Sequence, residues 1–193
     1  MARTPSTMAP LGSKMPMFRL TCQASNTEID SASFAGNAVL VMFICNHCPF
    51  VVHVMDEMIL LANEFVARGG KVVAINANDV EKYPQDGPAA MRELVQSAGM
   101  NFPFCLDSTQ GTAKSFGAAC TPDFFLYDSG GALYYRGQMD DSRPGSDIPV
   151  TGQDLRVAMD AVLTGKPAPV KQRPSLGCNI KWVPGNEPDY FGA

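Results

Sequence analysis

The tightest constraint in this sequence is a run of seven apolar residues, Ala38-Val39-Leu40-Val41-Met42-Phe43-Ile44, that ends directly on Cys45-Asn46-His47-Cys48. An unbroken apolar run of this length reads as a strand covered on both faces, because a half-exposed strand would alternate with polar residues. The stretch that follows, from Cys48 to Ala67, places Val52, Met55, Met58, Ile59, Leu60 and Phe65 on one broad side of a helix. Pro49 fits its first turn, where the missing N–H costs nothing, and Gly69-Gly70 ends it. A buried strand that enters a helix through two cysteines brings those thiols to unpaired backbone N–H groups and a partial positive charge. Both stabilise a thiolate, the form of cysteine that reacts. A C-x-x-C in this strand–helix setting is the pattern of a thioredoxin-like redox dithiol.

The rest of the chain supplies further strands and helices. Met17–Cys22 and Thr27–Asp30 predict an N-terminal β-hairpin. Lys71–Asn76 and Phe102–Leu106 read as strands, with a helix over Gln85–Gly99 between them and a short helix over Thr112–Phe116 after them. Phe124–Tyr127 and Leu133–Tyr135 flank Asp128-Ser129-Gly130-Gly131, a strong hairpin signal. Leu155–Leu163 is a last amphipathic helix, stopped by Gly165. This order, β-β-β-α-β-α-β-α-β-β-α, fits an α/β fold with a mixed central sheet flanked by helices. The division expected is a flexible tail over residues 1–15, one domain over residues 16–165, and an irregular Pro- and Gly-rich extension over residues 166–193 that packs on the domain through Cys178 and Trp182.

Composition narrows the function classes. The chain has 193 residues, 46% of them hydrophobic, and a formal net charge of -4. That is one domain with a real core, no basic footprint for nucleic acid, and no apolar run near the roughly 18 residues of a membrane span. The first ten residues carry no apolar segment of the secretory kind, so a cytoplasmic, reducing compartment is expected. Most of the six cysteines are then spare or buried thiols rather than a disulfide framework. A zinc site on Cys45 and Cys48 would need about two further ligands; His47 and His53 are the nearest, and there is no second C-x-x-C. Haem attachment is excluded because Pro49 stands where that motif needs a histidine.

The run Phe43–Val51 resembles the peroxiredoxin-like branch of the thioredoxin superfamily. So do Asn78-Asp79, Tyr83-Pro84, Cys120–Phe125, Tyr135–Gln138 with Asp140–Pro144, and Gly177–Trp182. The resemblance spans nearly everything from Met17 onward. It implies a thioredoxin fold and thiol redox chemistry. Under it, Cys45 is expected to attack, being the more exposed thiol, and Cys48 to resolve. His47, between them, is expected to pair with the Cys45 thiolate and lower its pKa. Pro122 is expected in the cis form beside the dithiol, with the Thr121 backbone and Asn46 binding substrate. Cys120 and Cys178 are candidate resolving thiols, although Cys120 reads first as a small buried core residue at the strand start. Arg136 is either a surface partner of Asp140 or Asp141 or an anion partner near the site. Cys22, Cys105 and His53 read as structural.

The sequence also departs from its relatives. In the peroxiredoxin pattern Pro-x-x-x-Thr-x-x-Cys, Cys48 takes the place of the peroxide-attacking cysteine, but Val41 replaces the proline and Cys45 the threonine. The buried aspartate that thioredoxins carry before the motif is matched by Val39. The function expected is a thiol–disulfide oxidoreductase acting on protein or small-molecule disulfides, free of any cofactor because the dithiol itself carries two electrons, with no metal and a cellular thiol as reductant. The alternative is a thiol-dependent peroxidase in which Cys48 becomes a sulfenic acid and Cys45, Cys120 or Cys178 resolves it.

Overall fold

A computed structural model describes residues 3–192. Along the chain, β1 (Arg3–Pro5) precedes β2 (Arg19–Cys22), β3 (Glu28–Asp30) and β4 (Val39–Phe43). Helix α1 (Pro49–Ala67), β5 (Lys71–Asn76), α2 (Pro88–Ser97), β6 (Phe104–Leu106) and α3 (Gly111–Phe116) follow. The chain continues through β7 (Cys120–Thr121), β8 (Asp123–Tyr127), β9 (Leu133–Gly137), α4 (Gln153–Leu163) and β10 (Leu176–Asn179). Seven strands form one mixed sheet in the order β3-β2-β6-β5-β4-β8-β9, and β1-β10-β7 form a second, smaller sheet. In the large sheet β4 runs parallel to β5 and antiparallel to β8.

Every residue of β4 is buried, as an unbroken apolar run requires. Leu40, Met42 and Ile44 join the core against α1, with Val51, Val54, Met58, Leu61 and Phe65. Val39, Val41 and Phe43 join a second core, with Phe116, Phe125 and Trp182. There the Phe116 ring packs edge-on to Phe43, Phe125 and Tyr127 at centroid distances of 5.5–6.0 Å. Cys22 and Cys105 sit opposite each other on β2 and β6 and are buried in the same core.

Three features differ from the sequence expectation. Residues 3–15 are not a loose tail. Thr4 pairs with Gly177 of β10, the Ser6 N–H donates to the Ser175 carbonyl at 2.9 Å, and the Thr7 hydroxyl donates to the Gly117 carbonyl at 2.8 Å. The C-terminal extension is not wholly irregular, since β10 joins β1 to β7 within it. The helix expected over Gln85–Gly99 begins only at Pro88, because Pro88 holds Gly87 in an extended conformation (φ -70°, ψ 171°) and Pro84–Asp86 form a separate 3-10 turn.

Leu40 is fully buried between α1 and the centre of the sheet. Leu40→Ala is expected to cost about 2–5 kcal/mol, seen as a lower urea midpoint with an unchanged slope.

Candidate active site

The motif loop leaves β4 where the Ile44 N–H donates to the Ile75 carbonyl of β5 at 3.0 Å, and it ends where α1 begins. Cys48 is the N-cap of α1. It is extended (φ -67°, ψ 121°), Pro49 follows it, and its carbonyl accepts from the Val51 and Val52 N–H groups at 2.9 Å. The Cys48 sulfur therefore lies at the helix N-terminus, where partial positive charge favours an anion. The Thr121–Pro122 bond is cis, and here the chain passes from β7 in the small sheet to β8 in the large one. Pro122 has no N–H to lose from either ladder at this crossing.

Thr121 reaches both sulfurs. Its hydroxyl is 3.6 Å from Cys45 Sγ, and its carbonyl accepts from the Cys48 thiol at 3.1 Å. Cys45 and Cys48 are each only 1% exposed. The expectation that Cys45 is the more exposed thiol is thus corrected: the β7 strand, backed by β10, closes over both.

The loop is held by a residue the sequence reading did not single out, Asp86, which is fully buried at the end of the Pro84–Asp86 turn. Its Oδ1 accepts from the backbone N–H groups of Asn46 (2.8 Å) and His47 (3.1 Å). Its Oδ2 contacts His47 Nδ1 at 2.5 Å and accepts from Asn78 Nδ2 at 2.9 Å. Asn76 Nδ2 donates to the Asp86 carbonyl at 2.8 Å. The His47 ring, half-exposed, stacks on Tyr83 with the planes 1° apart. His47 is therefore held by Asp86 and Tyr83, whereas the sequence suggested a pairing with Cys45. The only signal for this cluster in the sequence was indirect: Asn78 and Tyr83-Pro84, which lie shortly before Asp86, belong to the segments that carry the family resemblance.

These contacts set the polarity of the dithiol. Cys48 has two opposing influences. As a thiol it donates to the Thr121 carbonyl, but its ionised sulfur accepts from the Cys45 thiol first, then from the Thr121 hydroxyl and the Cys178 thiol. The donors prevail over burial and hold Cys48 below the ordinary thiol range. Cys45 is pushed far above the ordinary thiol range, chiefly because its proton bonds the Cys48 sulfur, then by burial and by the Asp86 charge. These directions, together with the place of Cys48 at the start of α1, favour charge on Cys48, where the sequence reading expects Cys45 to attack.

The other candidates separate clearly. Cys178, opposite Thr121 on β10, is brought to the site. Cys120 is fully buried, its thiol faces the Pro122 carbonyl at 3.6 Å, and burial followed by the Asp123 charge holds it protonated, so it behaves as a core residue. Arg136 is neither an anion partner of the dithiol nor paired with Asp140 or Asp141. Its guanidinium donates to the Ala9 carbonyl (2.7 Å) and to Gln172 Oε1 (2.8 Å), tying both ends of the chain to β9. His53 Nε2 contacts the Ser142 hydroxyl at 2.7 Å, a structural bond. Asn46 Oδ1 is buried without a partner among the described residues, which leaves one acceptor at the loop. Donor atoms of Cys45, His47 and Asp86 lie within 4.8 Å of one another, a grouping a metal ion could use, but both Asp86 oxygens already accept the hydrogen bonds that fix the loop.

Fold and site together define a thioredoxin-fold protein with a buried dithiol at a helix N-terminus. The Redoxin family matches residues 10–155, and the chain belongs to it. It is similar to an uncharacterized conserved protein from Geobacillus kaustophilus, with 47% identity and a TM-score of 0.93 over 96% of this chain and 98% of that one. A hypothetical protein from Sinorhizobium meliloti 1021 is 45% identical, with a TM-score of 0.91 over 94% and 100%. A thiol:disulfide interchange protein of the thioredoxin family from Chlorobium tepidum TLS shares the fold at 18% identity, with a TM-score of 0.61 over 80% and 98%. No curated protein matches the chain. Among the described residues no helix is long and apolar enough to cross a membrane.

Asp86→Ala removes the acceptor for four donors at once, leaving them in a buried site. It is expected to destabilise the protein by about 3 kcal/mol or more in urea unfolding, while Asp86→Asn, which keeps the shape and one of the two acceptor oxygens, loses less.

Proposed function

We propose that the protein is a thiol–disulfide oxidoreductase in which Cys48 attacks and Cys45 resolves. The observation that carries this is the position of Cys48 as the N-cap of α1, where partial positive charge favours an ionised sulfur, with the Cys45 thiol hydrogen-bonded to it. The Cys48 thiolate attacks one sulfur of a substrate disulfide, that S–S bond breaks, and the leaving thiolate departs. The Cys45 sulfur then attacks Cys48 Sγ, closing the Cys45–Cys48 bond, and its proton goes to the second leaving thiolate. The substrate is reduced by two electrons and the dithiol oxidised by two, so the step needs no cofactor. A stabilised thiolate favours the reduced dithiol, so the disulfide is an oxidising one. Disulfides of small molecules or proteins are the substrates, and a cellular thiol in a reducing cytoplasm restores the dithiol.

The same Cys48 thiolate favours a second reading, a peroxidase in which Cys48 attacks peroxide oxygen. Against it, the two arginines within the segments that carry the family resemblance are engaged elsewhere: Arg136 with Ala9 and Gln172, Arg143 with Gln138 and the Asp140 and Ser142 carbonyls.

Reduced protein should react faster with a model disulfide than with hydrogen peroxide at equal concentration, and Cys48→Ser should abolish the disulfide reaction. Stopped-flow oxidation with mass-spectrometric mapping checks this. Faster reaction with peroxide, with sulfenic acid at Cys48, would transfer the assignment to the peroxidase.

A further inference from the structure

The chain's C-terminal segment places a third thiol on the dithiol. β10 lies antiparallel to β7 with Cys178 opposite Thr121 and Asn179 opposite Cys120. On its other side Cys178 pairs with Arg3 of β1. Cys178 is 3% exposed, packs in the same core as Cys45 and Cys48, and its thiol hydrogen-bonds Cys48. Cys48 therefore has two thiol neighbours, Cys45 within its own loop and Cys178 on β10.

The approach of β10 is close enough to demand a particular residue. A Cβ on Gly177 would lie 2.1 Å from the Thr121 carbonyl oxygen and 3.2 Å from the Pro122 nitrogen. Both are backbone atoms that cannot rotate away, so any side chain at residue 177 must lift β10 from β7. Ser175 secures the same segment, its hydroxyl donating to the Pro122 carbonyl at 2.6 Å and its N–H to Ser6 Oγ at 2.8 Å. Lys181, two residues beyond Asn179, is fixed by Asn78 Oδ1, which accepts from its N–H at 2.9 Å. The strand that carries Cys178 is thus anchored on both sides of the thiol. The anchoring holds the Cys178 thiol against Cys48, within reach of exchange.

Resting on the oxidoreductase reading above, we propose that Cys178 is a third redox residue that exchanges with the dithiol through Cys48. In the oxidised protein the Cys178 sulfur attacks Cys48 Sγ, and a Cys48–Cys178 bond forms as the Cys45–Cys48 bond breaks. The electron pair leaves on Cys45, which takes up the proton Cys178 gives up. No electrons enter or leave, so no further reactant is needed. The exchange moves the disulfide from the loop held by Asp86 to β10 and links the C-terminal segment covalently to the start of α1. In a mixed disulfide at Cys48, the same attack by Cys178 releases the substrate thiol and gives the chain a second route to resolution.

The test uses the full-length protein and oxidised glutathione. Reduced wild type, Cys45→Ser, Cys178→Ser and Gly177→Ala are each oxidised, alkylated and digested, and their disulfides mapped by mass spectrometry; circular dichroism and urea unfolding verify that each is folded. Wild type should show both Cys45–Cys48 and Cys48–Cys178 bridges. Cys45→Ser should lose its glutathione adduct as a Cys48–Cys178 bridge replaces it, with alkylation lost at both residues. Cys178→Ser and Gly177→Ala should give the Cys45–Cys48 bridge alone. Should Cys45→Ser not fold, the wild-type and Gly177→Ala maps decide the matter by themselves. A persistent glutathione adduct at Cys48 in folded Cys45→Ser, with Cys178 still alkylated, would overturn the role of Cys178 and leave the dithiol intact. Absence of the Cys45–Cys48 bridge in Cys178→Ser would instead overturn the dithiol reading.

Discussion

The site depends on one buried carboxylate. Asp86 accepts from the backbone of Asn46 and His47, contacts the His47 ring and is itself steadied by Asn78 and, through its own carbonyl, by Asn76. A four-residue loop between a strand and a helix has few ways to satisfy its N–H groups when buried, and leaving them bare would be costly. Asp86 solves that and adds a charge on the Cys45 side of the dithiol, while the start of α1 and the donors around Cys48 favour charge on the other side. In a site where both sulfurs are shielded from water, such fixed charges and dipoles act with little screening. The placement of Asp86 thus fixes the loop and adds to the inequality of the thiols, which begins with their own hydrogen bond.

The two ends of the chain complete the enclosure. β1 and β10 come from opposite termini yet meet beside β7, forming a small sheet over the dithiol that the central domain alone would lack. Arg136 binds the same two terminal segments on the far hairpin, through Ala9 and Gln172. Segments that look like a tail and an extension are therefore structural parts of the site, and a truncation at either end would open it.

The central architecture was legible because it rests on local patterns. The apolar run over Ala38–Ile44, the amphipathic stretch after Pro49 and the Asp128–Gly131 turn each specify their element from neighbouring residues, and the strands and helices stand within a few residues of where the sequence puts them. The two cysteines and the cis proline at Pro122 were legible as a motif with a family behind it. What the sequence concealed is non-local. β1, β7 and β10 have two to four residues each, too short for a period, and are made by partners such as Thr4 and Gly177 at opposite ends of the chain. Asp86 sits in Pro-Gln-Asp-Gly, which reads as an ordinary polar turn; nothing nearby shows that this carboxylate turns inward to hold a loop forty residues earlier. The order of the two thiols is hard to read from the motif for the same reason, since besides their mutual hydrogen bond the groups that bear on it, Asp86, Thr121 and Cys178, come from elsewhere in the chain.

The most direct measurement is the pH dependence of alkylation by iodoacetamide of the reduced protein, resolved for each cysteine by mass spectrometry. A thiol reacts only as the thiolate, so its rate rises through its pKa and levels off above it. With Cys48 held below the ordinary thiol range, its rate should already be level across neutrality, with Cys45 modified far more slowly at every pH. Preferential modification of Cys45, or a Cys48 rate that climbs only near the ordinary thiol value of about 8.5, would contradict the account.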